Sequence, residues 1–130
     1  MNAHKAISAR LASFAGLTAL VSTRVYPDVI PSPAVWPAVT YHVIHTQTAK
    51  GALTDPPLSQ SLIQVDVFDK TRSGAVTAAA QVRLALDRWR QTAIAGVTID
   101  DCLFVSEMDL FEPLSLVYQV SADFRLFYRE

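Results

Sequence analysis

The sequence predicts an α+β domain: a mostly antiparallel β-sheet with two α-helices packed on one face, in the order α-β-β-β-α-β-β. Three observations carry this. Residues Ser115–Arg129 alternate with period two, Leu116, Tyr118, Val120, Ala122, Phe124, Leu126 and Tyr128 forming one continuous apolar face. Two other segments carry apolar stripes at helical spacing. The chain has 130 residues, enough for one core, so residues 1–130 are read as a single domain.

The first helix is expected at about residues 4–22, where Ile7, Leu11, Phe14, Thr18 and Val21 share a face. That amphipathic pattern reads the charge-free run Leu11–Val21 as a surface helix in preference to a secretory leader. A short strand, Arg24–Tyr26, follows. Pro27, Pro31 and Pro33 then exclude helix, because each lacks a backbone donor and has a fixed φ. Trp36 precedes Pro37 and should be extended. Pro37–Thr48 and Ser59–Asp69 alternate as strands, and their adjacency in sequence favours antiparallel pairing. The connection Ala49–Pro57 is longer than a hairpin needs. The second helix is expected at about 74–92, with Ser73 as its cap and Ala75, Ala79, Val82, Leu86 and Trp89 as its stripe. Gly96 ends this segment. Val97–Glu107 reads as a strand, Ser106–Pro113 as an acidic connection, and Ser115–Arg129 as the last strand.

Composition narrows the function. Eleven Lys and Arg stand against twelve Asp and Glu, which argues against a polybasic, sequence-specific nucleic-acid binder. Half the residues are apolar (51%), eighteen of them Ala, and the mean hydropathy is +0.25. A chain this small and this apolar is expected to hide further surface by self-association. The run Val29–Ala49 contains three prolines and two histidines, so no segment is expected to span a bilayer.

The residues that could carry chemistry do not assemble into a pattern. His42 and His45 form H-x-x-H, but on a strand an odd separation sends the rings to opposite faces. Asp100 and Asp101 diverge for the same reason. Cys102 is the only cysteine, which excludes an intrachain disulfide, and it reads as a small buried hydrophobe. Glycines 16, 51, 74 and 96 make no phosphate-binding loop. No cofactor, metal or catalytic residue is therefore expected.

Charge is segregated instead. Residues 70–90 carry a net +4 and residues 100–112 a net −5. This makes Arg83, Arg88 and Arg90, facing Glu107, Asp109 and Glu112 of a neighbour, candidates for a heterologous subunit interface. In the long loop, Lys50, Gly51, Leu53 and Asp55, with Leu58 just beyond it, are candidates for partner binding. They combine backbone freedom with apolar groups on an exposed segment.

A set of phrases in fixed order carries a resemblance. They are Leu17-Thr-Ala-Leu-Val21, Thr23-Arg-Val-Tyr-Pro27, Trp36-Pro-Ala-Val-Thr-Tyr41, Leu62-Ile-Gln-Val-Asp-Val-Phe68, Val82-Arg-Leu-Ala-Leu86 and Ser121-Ala-Asp-Phe-Arg-Leu126. Over nearly its whole length the chain resembles the tail-terminator, or tail-completion, family of long-tailed phages and related phage-derived particles. The resemblance implies a non-enzymatic virion protein, assembled in the host cytoplasm, that forms a homo-hexameric ring at the head-proximal end of the tail. Its implied partners are other copies of itself, the tail-tube protein, and a neck, stopper or head-completion protein. Two alternatives stand beside it: another ring-forming neck or tail protein, or a small ligand-binding or enzymatic α+β domain using His42, His45 or Cys102.

Overall fold

The computed structural model describes residues 3–48, 58–90 and 92–130. The elements are α1 (Ala3–Ser13), α2 (Ala15–Val21), β1 (Val25–Pro27), β2 (Ala38–Thr48), β3 (Ser59–Asp69), α3 (Arg72–Leu86), β4 (Thr92–Ile94), β5 (Val97–Glu112) and β6 (Val117–Arg129). The strands form one six-stranded sheet in the order β1-β2-β3-β6-β5-β4. Only β1 pairs in parallel; every other neighbour is antiparallel.

The register lines up the core. Val39, Val67 and Val120 sit side by side, as do Tyr41, Val65 and Ala122, and next Val43, Ile63 and Phe124. This face is covered by Ile7, Leu11, Leu17 and Val21 from the first two helices and by Ala75, Ala78, Ala79, Val82 and Leu86 from α3. The alanines of α3 let its backbone lie close to the sheet, as the stripe implied. The opposite face is more polar: Thr40, Asp66 and Ser121 form one row. Asp66 is nearly buried there and accepts from Gln64 Nε2 at 3.1 Å. The proline-rich segment returns along this face, where Trp36 meets Phe68 with ring centroids 6.5 Å apart.

The α+β class and the helix-covered antiparallel sheet agree with the sequence reading; the number and order of elements do not. Among the described residues there are three helices and six strands. The first predicted helix breaks at Phe14, whose φ of −84° and ψ of 106° are extended. The break shifts the helical phase by one residue, so that Leu17 is fully buried and Thr18 only half-buried. An unbroken helix would have spent that core position on a hydroxyl. Arg10 holds the corner: its Nε donates to Ala85 O at 2.8 Å, and its guanidinium lies 5.4 Å from both the Phe14 and Trp89 ring centroids.

The second predicted helix is shifted to Arg72–Leu86. Its cap is Thr71, not Ser73, the Thr71 hydroxyl accepting from Gly74 N at 3.1 Å. It ends where Asp87 turns extended, with a φ of −66° and ψ of 123°, and Arg88 follows at a positive φ of 62°. The turn still drops Trp89 into the core, 5% exposed, so the stripe was right about burial and wrong about helix. Residues Thr92–Ile94 form β4 and not helix end. They reach β5 through Ala95-Gly96, where both φ angles are positive (52° and 80°), as a two-residue hairpin turn requires.

The expected acidic connection Ser106–Pro113 is strand through Glu112. β5 and β6 stay paired out to Glu112 and Val117, and only residues 113–116 turn. Beyond Phe104 the β5 side of this hairpin is exposed and, with the turn at 113–116, forms an edge arm, while β6 stays paired with β3 as far as Tyr118. No helix among the described residues is long and apolar enough to cross a membrane.

A candidate assembly surface

The groups considered for chemistry are dispersed or occupied. A bulge in β2 between Val43 and His45 changes the parity expected for H-x-x-H. His42 sits opposite Gln64 and His45 opposite Leu62, positions two apart on β3, so both histidines belong to the same face. His42 Nδ1 lies 2.9 Å from Asp28 Oδ1 in an exposed pair. Among the described residues, no group of three or more His, Cys, Asp or Glu is placed to hold a metal ion. Asp100 and Asp101 do part company, pairing with Arg129 and Arg88 respectively.

Cys102 is fully buried. Burial, then the nearby Asp101 and Asp87 carboxylates, pushes its thiol up to about 12. At neutral pH it is a protonated, inaccessible thiol. The native protein should therefore not react with a maleimide at pH 7.5, and should take up one equivalent once unfolded in denaturant. Rapid labelling of the folded protein would mean that the β5 side of the core opens.

The β5–β6 arm is the surface that stands out. Val105, Met108, Leu110, Phe111, Leu114 and Leu116 are between 44% and 95% exposed. Such a run of apolar side chains along one sheet edge and its turn marks an interaction surface. The arm is ordered by its own contacts. Phe111 packs on Tyr118 with centroids 4.7 Å apart, and Glu112 Oε1 accepts from Leu114 N at 2.9 Å. At its tip, Lys70 Nζ donates to Ser115 O at 2.8 Å and lies 5.8 Å from the Trp36 ring centroid. The sequence held a signal for this strand: Met108 and Leu110 alternate with Glu107 and Asp109. Reading the carboxylates as a charged loop hid it.

The outer edge of β5 is closed only in part. β4 covers Val97–Ile99. The end of α3 covers the next stretch, with Arg88 N donating to Cys102 O at 2.6 Å and Asp87 Oδ1 accepting from Phe104 N at 3.1 Å. From Val105 to Glu112, no strand among the described residues pairs with that edge.

The charged candidates divide. Arg88 Nη1 pairs with Asp101 Oδ2 at 3.2 Å, and Asp109 Oδ2 with Arg72 Nη2 at 3.3 Å, both within the chain. The Arg83 guanidinium lies 3.9 Å from the Phe104 ring centroid. Arg90 and Glu107 are exposed and make no ion pair among the described residues, and Glu112 caps the turn. Arg88 and Arg90 sit at the end of the sheet where β5 begins. Glu107, Asp109 and Glu112 run toward the other end, on the arm. Lys50, Gly51, Leu53 and Asp55 lie outside the described residues. Leu58 is half-buried beside Gln60 and Phe127.

A helix-backed sheet with an exposed apolar edge is the architecture of a small assembly protein. The family model for tail completion protein gp17 matches residues 5–129, and the chain belongs to that family. It is a structural protein of phage-type tails, as the ordered phrases in the sequence implied. A chain from the virion of a native gene transfer agent particle has the same fold, with a TM-score of 0.78 at 20% identity over 98% of this chain and 95% of that one. No curated protein matches the sequence.

Proposed function

We propose that this protein caps the finished tail tube as a homo-hexameric ring, ends elongation, and presents a joint to the head–neck proteins. The family match over nearly the whole chain is the observation that supports this reading. The exposed apolar arm fits it, because a subunit that works alone gains nothing from such a surface. The role is architectural, performed by surfaces and not by a reacting group. Its place is the head-proximal end of the tail, with the tube protein on one side and a neck, stopper or head-completion protein on the other.

The test is particle assembly with and without the gene, viewed by negative stain. Without the protein, tails should lose uniform length and fail to join heads. Uniform tails on intact heads would overturn the reading. If tails of normal length form but heads stay separate, the protein belongs to another ring along the neck, a station that a shared fold does not distinguish.

The connection Ala49–Pro57 belongs to the same proposal as a partner-binding element, through Lys50, Gly51, Leu53, Asp55 and the adjoining Leu58. Replacing residues 50–57 by a short Asn-Gly turn should leave the fold and its melting temperature intact. It should also abolish head joining or length control. Infectious particles in normal yield from that variant would remove the loop from the interface.

A further inference from the structure

We propose that the arm formed by residues 105–116 docks on the C-terminal half of α3, and on the turn after it, in a second copy of this chain. This rests on the reading that the protein self-assembles, and adds which surfaces meet.

The arm exposes Leu114 (95%), Leu116 (62%) and Met108 (60%), and its only charges are Glu107, Asp109 and Glu112. Against these three carboxylates stand, among the described residues, only Arg72 on Asp109 and Lys70 on Ser115 O, so the patch stays net acidic, which disfavours anionic lipid and nucleic acid as occupants. The surface of opposite character lies on the same molecule. Leu84 is 65% exposed on α3, flanked by Arg83, and Arg88 and Arg90 follow on the turn. An apolar centre with a basic rim complements an apolar arm with an acidic rim.

Arg83 and Arg88 reach only the near end of β5, at Phe104 and Asp101, so the tip of the arm and this surface cannot meet within one subunit. Arg88 is tied to β5 at Cys102, whereas the arm turns at residues 113–116. The intervening strand is about 30 Å long at roughly 3.3 Å per residue. The pairs that do form inside the chain leave the match open. Arg72 and Asp109 are 69% and 48% exposed, and Arg88 is 52% exposed, so each keeps donors or acceptors facing solvent. Two different patches, the tip of the arm and the end of α3, make a head-to-tail contact, which closes into a ring when the rotation permits.

The test uses Leu114→Cys and Leu84→Cys, singly and together, with a short bis-maleimide. Both positions are exposed, and the native Cys102 is buried, so it contributes no background. Docking holds the two thiols at about millimolar effective concentration, so at micromolar protein the double variant should cross-link on the order of a thousandfold faster than free collision allows. It should give a ladder of covalent oligomers, while neither single variant does so. A covalent dimer from Leu114→Cys alone would mean that arms pair with arms, and would overturn the proposal. An oligomeric mass by light scattering without a ladder from the double variant would also overturn it, and would leave the self-assembly reading standing. A wild-type protein that stays monomeric at all concentrations would overturn both.

Discussion

Phe124→Ala is expected to destabilise the domain by about 3–5 kcal/mol, the cost of emptying a buried aromatic site. The ring is fully buried in β6, with Ile63 on one flank and Phe104 on the other, the two phenyl centroids 5.7 Å apart and their planes at 72°. A domain of this kind has roughly 5–15 kcal/mol in total, so the loss takes a large share of it. Ser121 is three residues away on the polar face, opposite Asp66 and Met108, and only partly buried. Ser121→Ala should change stability by less than about 1 kcal/mol. Urea titrations of the two variants compare them directly. Equal midpoints would mean that the inward and outward faces of β6 are misassigned.

The second large effect concerns association. Changing Arg83, Arg88 and Arg90 together to Glu should dissociate the oligomer, since like charges then face the carboxylates of the arm. Loss of close charge pairs across an interface costs about 2–5 kcal/mol when they are desolvated and far less when they stay on the rim. Arg88→Glu also faces Asp101 in its own subunit, so a thermal melt must accompany the mass measurement. Adding Glu107→Lys, Asp109→Lys and Glu112→Lys should restore part of the oligomer. An unchanged mass and unchanged salt sensitivity in the triple reversal would show that these charges are only solvated surface.

Much of the fold was legible because its strongest patterns are local. β3 spans Ser59–Asp69 as expected, and the alternation of β6 places Val120, Ala122, Phe124, Leu126 and Tyr128 in the core. Leu116 departs from that face because it belongs to the turn, at a φ of 56°. What periodicity missed was local geometry set by distant partners. Phe14 breaks a helix where Arg10, itself held by Ala85 and Trp89, lies over its ring, and none of those three is a helix-stop signal. The bulge that unites His42 and His45 on one face is a one-residue slip, invisible to a strict period of two. The charge segregation was visible in the sequence. That Arg88 and Asp109 each already hold a partner in the same chain required the fold.

The way α3 ends against β5 divides one strand into two dynamic regimes. Up to Phe104, the amides and carbonyls on the outer edge answer to β4, to Arg88 and to the Asp87 carboxylate. From Val105 onward that edge faces water in the free subunit. In deuterium exchange, the boundary between slow and fast amides should therefore fall inside β5, near Phe104, and not in a loop between elements. The covered half is held by the core and opens only when the domain does. The outer half can fluctuate while everything behind it stays folded, so a subunit can adjust its arm to a neighbour without loosening its own interior. Slowed exchange confined to residues 105–112 would then register assembly itself, amide by amide.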